Sequence, residues 1–450
     1  MPRPDRLRVQ VLVTSGGEVA SRLAQIVAVA VVGWSLGAEG LAVVGIAWSL
    51  TLIVQAIAQG GPDLVGVRAL ALAAEDPRRI RQVVADTGRQ KLALAMAAVP
   101  LLVVFQALTG RHDAGSLGQL AAQFGAMVVV SQTHVWVFRG LGRSRDQALL
   151  RAVQTIGSLG LLVAALAVWP SPLVVPMAEA VAGLLVLMVG RARLTRLVGD
   201  RTHDAAASDW RTLLQGGRAA VGLGIAGLLS HLCWQAPVML AARWAPLEHV
   251  GYLTVVMRLF LGANGVLQIG FQALYPTLAR VYATGVAQGS AVVWGMAAYA
   301  GLAAAAGAGM VALTADGLLR LIAGPEFAPA APLLAALLPV LVPVALASPV
   351  SYGLMARGDT RAVLALQGGA AAATLAACAL AFDAQPSAWA ALVLHPLLWG
   401  QAVATAAVAR GRGALIRPPG GWSQGLRPSV LGRFLAASPS PTPAGSGSGG

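Results

Sequence analysis

Two arginines lie inside long apolar stretches of the sequence, where charged side chains are rare. Arg22 lies about seven residues into the first stretch, and Arg258 lies at a similar depth in the eighth, counted from its opposite end. At about 1.5 Å per residue, each guanidinium lies roughly 10 Å along a helix. A guanidinium stays charged and binds two phosphate oxygens at once. Arg22 and Arg258 are therefore predicted to bind a phosphate or diphosphate.

Two carboxyls are the acidic candidates. Glu18 precedes Arg22 by four residues and shares its helical face, so the two side chains can instead neutralise each other. Glu179 stands alone in the sixth stretch. An ionisable group in a membrane span is a functional-site hypothesis by default. Glu18 and Glu179 are candidates for proton or sodium coupling, with a structural hydrogen-bonding role for Glu179 as the alternative.

Amide side chains form two stripes. Asn264, Gln268 and Gln272 recur every four residues, and Gln55 and Gln59 form a shorter stripe. These five residues are predicted to line a cavity and bind sugar hydroxyls, or to hold helices together. Arg258 is rotated by about 120° from Asn264 at about 100° per residue, so it need not share the longer stripe.

Signals for catalysis, metal binding or cofactor binding are missing from the sequence. The single lysine, Lys91, is assigned to a loop without the glycine pattern of a phosphate-binding loop. The two cysteines, Cys233 and Cys378, both lie in apolar stretches, which argues against a disulfide or a thiolate metal site. The chain is predicted to be no enzyme and to need no cofactor and no metal.

The elements that must position these residues are membrane-spanning helices. Hydrophobic residues make up 57% of the chain, charged residues make up 11%, and the mean hydropathy is +0.71. Because lipid offers no hydrogen bonds to the backbone, apolar stretches of about 20 residues must be helices. The prediction is an all-α integral membrane protein with about twelve spans, at 15–36, 40–61, 92–108, 119–141, 149–169, 172–190, 219–242, 250–275, 290–313, 328–354, 362–382 and 388–409.

Basic residues are strongly biased to one side of these spans. Of 32 basic residues, 27 fall on the side of the N-terminus and 3 on the other, with Arg22 and Arg258 inside spans. Since basic loops stay in the cytoplasm, both termini are predicted to be cytoplasmic. The net charge of +14 then reflects loops held at an anionic leaflet. A nucleic-acid partner is not expected, because no basic soluble domain is present.

The two halves of the sequence resemble each other. Gly40 and Gly251 are 211 residues apart, Arg68 and Arg280 are 212 apart, and the loop with Gly142 recurs 216 residues later. An internal duplication of six spans predicts two lobes related by a pseudo-two-fold axis along the membrane normal. The predicted domains are a first lobe (1–200), a cytoplasmic linker (201–218), a second lobe (219–410) and a largely disordered cytoplasmic tail (411–450).

Several segments resemble one known family, the polysaccharide flippases (Wzx-type polysaccharide biosynthesis proteins) of the multidrug/oligosaccharidyl-lipid/polysaccharide exporter superfamily. The order and spacing of these segments carry the resemblance, which spans most of residues 10–410. They are Ala20–Leu23, Gly37–Gly40, Val250–Arg258, Tyr275–Arg280, Leu319–Phe327 with Ala330, and Leu354–Asp359. The related lipid II flippases usually carry two extra helices, which this sequence lacks.

The resemblance implies a V-shaped bundle of two six-helix lobes in the bacterial cytoplasmic (inner) membrane. It implies a transporter that flips an undecaprenyl-diphosphate-linked oligosaccharide to the outer leaflet during surface polysaccharide assembly. Basic residues of the first and eighth spans line the cavity in the family, which favours Arg22 and Arg258. The expected partners are this lipid-linked oligosaccharide, membrane lipid, and a polysaccharide polymerase with its chain-length machinery.

Two other functions stay open from the sequence. A multidrug or cation antiporter of the same superfamily would have an acidic cavity, whereas the candidate cavity residues here are net basic. An integral-membrane glycan polymerase would need a large outer loop with catalytic groups. The outer loops are short, and Asp316 with Glu326 is the one acidic cluster to consider there.

Overall fold

The computed structural model describes residues 4–73, 76–199 and 210–416, which form helices joined by short loops. The side chains of residues 4–19, 210–223, 226, 273 and 276 fall outside the description. The helices are α1 (Pro4–Gln55), α2 (Gly61–Leu72), α3 (Pro77–Ala97), α4 (Val99–Leu108), α5 (Ala114–Ser131), α6 (Val135–Gly140), α7 (Ser144–Val168), α8 (Val174–Val198), α9 (Trp210–Trp244), α10 (Leu247–Thr284), α11 (Val286–Ile322), α12 (Ala331–Leu337), α13 (Leu341–Ala356), α14 (Thr360–Ala384) and α15 (Leu394–Gly411). A π-helical turn (Ala56–Gly60) and 3-10 turns (Pro325–Ala330, Leu338–Val340, Ala388–Val393) complete the set.

The number of membrane spans agrees with the sequence prediction. Ten helical segments in the described residues are long and apolar enough to cross a membrane. The first of them, Ala20–Leu72, has 53 residues. At about 1.5 Å per residue this is nearly 80 Å, or two crossings of a hydrocarbon core about 30 Å thick. It turns at Gly37, where φ is 68°. With α9, which contains the predicted span 219–242, the total is twelve.

Helices α1 to α8 form one half of the bundle and α9 to α15 the other, and α1 packs along α10 where the halves meet. Small residues allow this close approach. A Cβ atom added at Gly251 would lie 2.0 Å from the carbonyl oxygen of Ala38, and one added at Gly45 would lie 2.4 Å from Oγ1 of Thr254. The glycine at 251 is therefore a packing requirement between the halves.

The two halves repeat the same local structure at an offset of 216 residues. Helices α7 (Ser144–Val168) and α14 (Thr360–Ala384) both have 25 residues. Each follows a glycine with positive φ, 67° at Gly142 and 80° at Gly358. The following amide donates to the carbonyl five residues earlier in both cases, from Arg143 to Phe138 at 2.8 Å and from Asp359 to Leu354 at 3.0 Å. Such matched helix ends support the internal duplication.

The bundle is closed at the end that carries the short hairpin loops. The backbone N–H of Ala38, just after the turn at Gly37, donates to Oε1 of Glu326 in the other half at 3.1 Å. Trp34 Nε1 donates to the carbonyl of Leu321 at 3.3 Å, and Arg111 Nε donates to that of Ala242 at 3.1 Å. Glu326 thus serves this closure, and Asp316 pairs with Arg320 instead (2.8 Å).

Lys91 does not lie in a loop, which corrects the prediction. It lies in α3, is 2% exposed, and forms an ion pair with Asp63 of α2. Its ammonium also donates to the carbonyl of Ser131 at 2.9 Å and lies 5.0 Å from the ring centre of Trp136. Asp63 therefore neutralises a cation that lies buried in the helix bundle.

Two of the predicted domain boundaries can be compared with the helix bounds of the structure. Helix α9 begins at Trp210, inside the predicted linker 201–218. Beyond α15, Leu415 is 2% exposed, and the carbonyl of Ala414 accepts a hydrogen bond from the hydroxyl of Tyr282 at 2.8 Å. Packing of the second half therefore continues past residue 410, and the rest of the predicted tail, 417–450, lies outside the described residues.

Candidate functional site

A cavity of about 720 Å³ lies between the two halves of the bundle. Trp48 and Glu179 line it toward the closed hairpin end, and Arg139 and Arg151, near the arginine-rich loops, line its other end. Helices α1 to α3 and α5 to α8 contribute from one half, and α9 and α10 contribute from the other. The cavity therefore lies where two lobes moving against each other would open and close it.

Both candidate phosphate ligands line this cavity, from opposite halves. Arg22 lies against α10, where a Cβ atom added at Gly265 would be 3.0 Å from its Nε atom. Arg258 extends over the indole ring of Trp48, with 4.5 Å between the guanidinium carbon and the ring centre. Its Nη2 atom is buried and has no hydrogen-bond partner among the described residues. A guanidinium with an unused donor in a cavity is equipped to bind an anion.

Glu179 does not stand alone, in contrast to its appearance in the sequence. The indole N–H of Trp48 donates to its Oε1 at 3.0 Å, and Nε2 of Gln123 donates to its Oε2 at 2.6 Å. The positive charge of Arg258 also acts on this carboxylate from the other half. Glu179 is thus held in a hydrogen-bonded cluster. The side chain of Glu18 lies outside the described residues.

All five amide candidates line the cavity. Gln55 donates to Gln59 at 3.1 Å, and Gln59 lies in the π-helical turn. Gln268 donates to the hydroxyl of Ser348 in α13 at 3.0 Å and approaches Oδ1 of Asn264 at 3.5 Å. Gln272 is exposed toward the open end. Both stripes therefore face the cavity, and Gln268 also links α10 to α13.

Arg258 faces the same cavity as Asn264, although the two lie about 120° apart on an ideal helix. The cavity face of α10 includes Leu261, Gly265, Gln268 and Gln272, which follow Arg258 at steps of three and four residues. Asn264 borders this face. The cavity is wide enough to include both sides of the stripe.

Several lining residues were not found from the sequence. The stack of Trp48 and the bond from Gln123 depend on which helices meet, so no local pattern shows them. Helix α7 did carry a signal: its lining polar residues repeat at steps of three, one and three, and they are Arg151, Gln154, Thr155 and Ser158. These residues extend the polar wall toward the open end.

The charge of the cavity favours anions. Among the described lining residues, cations outnumber carboxyls: the cations are Arg22, Lys91, Arg139, Arg151 and Arg258, and the carboxyls are Asp63 and Glu179. Lys91 and Asp63 neutralise each other. A wall of guanidiniums, amides and hydroxyls suits a ligand with phosphate and sugar groups.

Residues 7–282, which is more than half of the chain, match the sequence model of the polysaccharide biosynthesis protein family. The chain belongs to this family. The resemblance to polysaccharide flippases of the multidrug/oligosaccharidyl-lipid/polysaccharide exporter superfamily is thereby confirmed. No curated protein matches the sequence significantly.

Solved structures show the same fold at low sequence identity. An inward-facing multidrug-resistance transporter of the MATE family is 16% identical, with a TM-score of 0.69 over 88% of this chain and 94% of that one. The lipid II flippase MurJ, in an inward closed conformation, is 8% identical, with a TM-score of 0.65 over 96% and 94%. The eukaryotic MATE transporter AtDTX14 is 14% identical, with a TM-score of 0.63 over 96% and 99%.

These structures share a fold in which twelve helices form two lobes, which confirms the predicted fold class. The family member described here is a multi-pass membrane protein with the fold of this superfamily's transporters. The two halves of the bundle are the two lobes of that fold, and the cavity lies between them.

Proposed function

We propose that this protein flips an undecaprenyl-diphosphate-linked oligosaccharide from the cytoplasmic to the outer leaflet by alternating access. The observation that carries the proposal is the polar cavity between the lobes, with one arginine from each lobe and an excess of cationic side chains. An antiporter for cationic drugs would need the opposite charge balance. The family match to polysaccharide biosynthesis supports a glycan substrate.

The diphosphate binds Arg22 and Arg258 in this proposal. Arg258 offers its unpartnered Nη2 donor, and Arg22 reaches the cavity from the facing lobe. Two phosphates carry enough charge to engage both guanidiniums, and each charge-assisted hydrogen bond contributes about 1.5–3 kcal/mol. Because each lobe supplies one of the two arginines, binding of the diphosphate to both depends on the relative position of the lobes.

The sugars contact the amide and hydroxyl wall that extends toward the open end. Gln55, Gln59, Asn264, Gln268 and Gln272 belong to this wall, as do the polar residues of α7. Amides donate and accept hydrogen bonds, so they match sugar hydroxyls of either role. Glu179 keeps its hydrogen-bonding role, and ion coupling through Glu18 or Glu179 is a secondary proposal.

The open end of the cavity faces the cytoplasm in this proposal, because the arginine-rich loops lie on that side. Both termini are then cytoplasmic, and the membrane is the bacterial inner membrane. The lobes are proposed to divide at residues 201–218, as the sequence predicts. A polysaccharide polymerase and its chain-length machinery are the proposed partners downstream.

Complementation of a deletion strain tests this function. The strain receives wild type, Arg22→Ala with Arg258→Ala, or Arg145→Ala with Arg361→Ala. The last pair is the control, because it removes the same charge from exposed positions in the first turns of α7 and α14. Surface polysaccharide and lipid-linked oligosaccharide are quantified. We expect the double cavity variant to lose the polymer and accumulate the complete lipid-linked unit, and the control to behave as wild type.

Normal surface polysaccharide in the deletion strain, accompanied by altered drug susceptibility, would contradict the proposal and support an antiporter. Membrane levels of each variant, measured by immunoblot, separate loss of transport from loss of the protein.

A further inference from the structure

Trp48 connects the two lobes through the edge and the flat face of its indole ring. The edge of its indole donates a hydrogen bond to Glu179 of α8, in the same lobe, at 3.0 Å. The flat face of the same ring carries the guanidinium of Arg258, from the other lobe, at 4.5 Å. Trp48 is 9% exposed, so the ring between the two charged groups is largely buried. One side chain thus lies between a carboxylate of the first lobe and a cation of the second.

Arg258 and Glu179 do not form a direct ion pair within the described part of the chain, although their charges interact. Both oxygens of Glu179 are already bonded, Oε1 to Trp48 and Oε2 to Gln123. Arg258 is therefore held by the ring and by the field of the carboxylate, while its Nη2 donor stays unused. A cation–π contact is weaker than a set of charge-assisted hydrogen bonds to phosphate oxygens, so a strong anion can replace it.

We propose that Glu179, acting through Trp48, holds Arg258 toward the first lobe in the empty cavity, and that a diphosphate releases this contact by replacing Glu179 as the anionic partner of Arg258. The inference rests on the proposed function, because it assumes a diphosphate substrate. It assigns Trp48, Gln123 and Glu179 as positioning residues. The charge of the substrate then weakens the contact between the lobes near their closed end.

The position of the cluster makes this coupling possible. Trp48 lies 11 residues after the turn at Gly37, which corresponds to about 16 Å along the helix. The contact of Ala38 with Glu326, which helps to close the hairpin end, lies on the same arm of α1. A ligand that binds one arrangement of the lobes better than another shifts their populations by its differential affinity. Arg258 supplies the difference in affinity between the two arrangements, because its anionic partner changes from Glu179 to the diphosphate when the ligand binds.

The test measures the distance between the lobes by spin labels in lipid nanodiscs. Labels are placed at Ala114→Cys and Gln385→Cys, which are exposed at the hairpin ends of opposite lobes. The background replaces the buried cysteines Cys233 and Cys378 with alanine. The probe is undecaprenyl diphosphate, and its affinity is measured in the same nanodiscs with a radiolabelled form.

We expect the probe to raise the population of long distances in wild type. Glu179→Gln removes the charge but keeps an acceptor for Trp48, so its long-distance population should be raised without the probe. Its affinity for the probe should be tighter by about tenfold, which corresponds to roughly 1.4 kcal/mol of competition removed. Trp48→Phe keeps a ring under Arg258 but loses the N–H, and we expect an intermediate result.

Glu39→Gln serves as the matched control, because it removes a carboxylate that is exposed in the hairpin. It should match wild type. Glu179→Gln with the distances and affinity of wild type overturns the inference, and so does a wild type that binds the probe without any change in distance. A wild type that does not bind the probe contradicts the proposed function instead, so the two failures are distinguishable.

Discussion

The neighbours of each arginine in this cavity determine how its guanidinium is placed. Arg22 and Arg258 have the same chemistry, yet Arg258 rests on an indole ring and Arg22 rests on a glycine. The absent side chain at Gly265 leaves the room that the Arg22 guanidinium occupies between α1 and α10. Gly265 therefore belongs to the proposed anion site together with the arginine that it accommodates.

Gly265→Ala should weaken substrate binding without unfolding the protein. The new methyl group would lie 3.0 Å from Nε and 3.2 Å from Cζ of Arg22, so the guanidinium must leave its position. A side chain forced off its preferred rotamer costs about 1 kcal/mol, or roughly fivefold in Kd for a diphosphate. Binding of undecaprenyl diphosphate in nanodiscs is the measurement.

Gly270→Ala is the control in the same helix, because nothing lies within 4 Å of its added Cβ atom. Alanine favours a helix over glycine by about 0.5–1 kcal/mol, so both variants should keep or gain thermal stability. Equal affinities for the two variants would mean that the position of Arg22 does not matter for binding.

At the scale of helices, hydropathy and basic-residue bias predicted the spans because each depends on local composition. The two stripes of amides were also predictable, since helical periodicity is local. The partners of Glu179 were not predictable: Trp48 lies 131 residues before it in the sequence, and only the tertiary fold of the first half brings the two side chains together. Lys91 was misplaced for the same reason, because its neutralising partner Asp63 comes from another helix.

Replacing Gly251 by alanine should disrupt the packing of α1 against α10 and destabilise the protein. The added Cβ atom would lie 2.0 Å from the carbonyl oxygen of Ala38, a backbone atom that cannot move aside alone. Overpacking of this kind costs about 1–3 kcal/mol. We expect a clear drop in the thermal unfolding midpoint, measured by fluorescence-detected size-exclusion chromatography.

Gly307→Ala in α11 provides the comparison, because nothing lies within 4 Å of its Cβ position. Its midpoint should equal or exceed that of wild type. If Gly251→Ala matched Gly307→Ala, the two lobes would not meet at this crossing as described.

At the scale of the whole molecule, contacts between the lobes close the hairpin end, whereas the described residues leave the cavity open at the other end. Glu326, Trp34 and Arg111 bond across the closed end, and Arg139 and Arg151 border the open one. A single molecule with this asymmetry presents its cavity to one side of the membrane at a time. The asymmetry is what a transporter working by alternating access requires.

Cysteine accessibility should report this asymmetry directly. Gln154→Cys, which lines the cavity toward the open end, should react with a membrane-impermeant maleimide in inside-out vesicles and be protected in intact cells. Gln385→Cys, exposed at the hairpin end, should show the reverse pattern. Both are compared in the background without the native cysteines, by gel shift with a mass-tagged reagent.

Reaction of both positions from the same side would refute the orientation given by the arginine-rich loops. Equal labelling of Gln154→Cys from both sides would contradict a cavity closed at the hairpin end.

The turn at Gly37 has a practical consequence for anyone who builds reagents against this protein. The first two spans are joined by one residue out of helical conformation, with φ at 68°, and the next amide is already bonded to Glu326. An epitope tag or a fusion partner inserted there would wedge the lobes apart, although a topology diagram shows an ordinary external loop. Gln385 and Pro386, exposed between α14 and the following 3-10 turn, are the better insertion point.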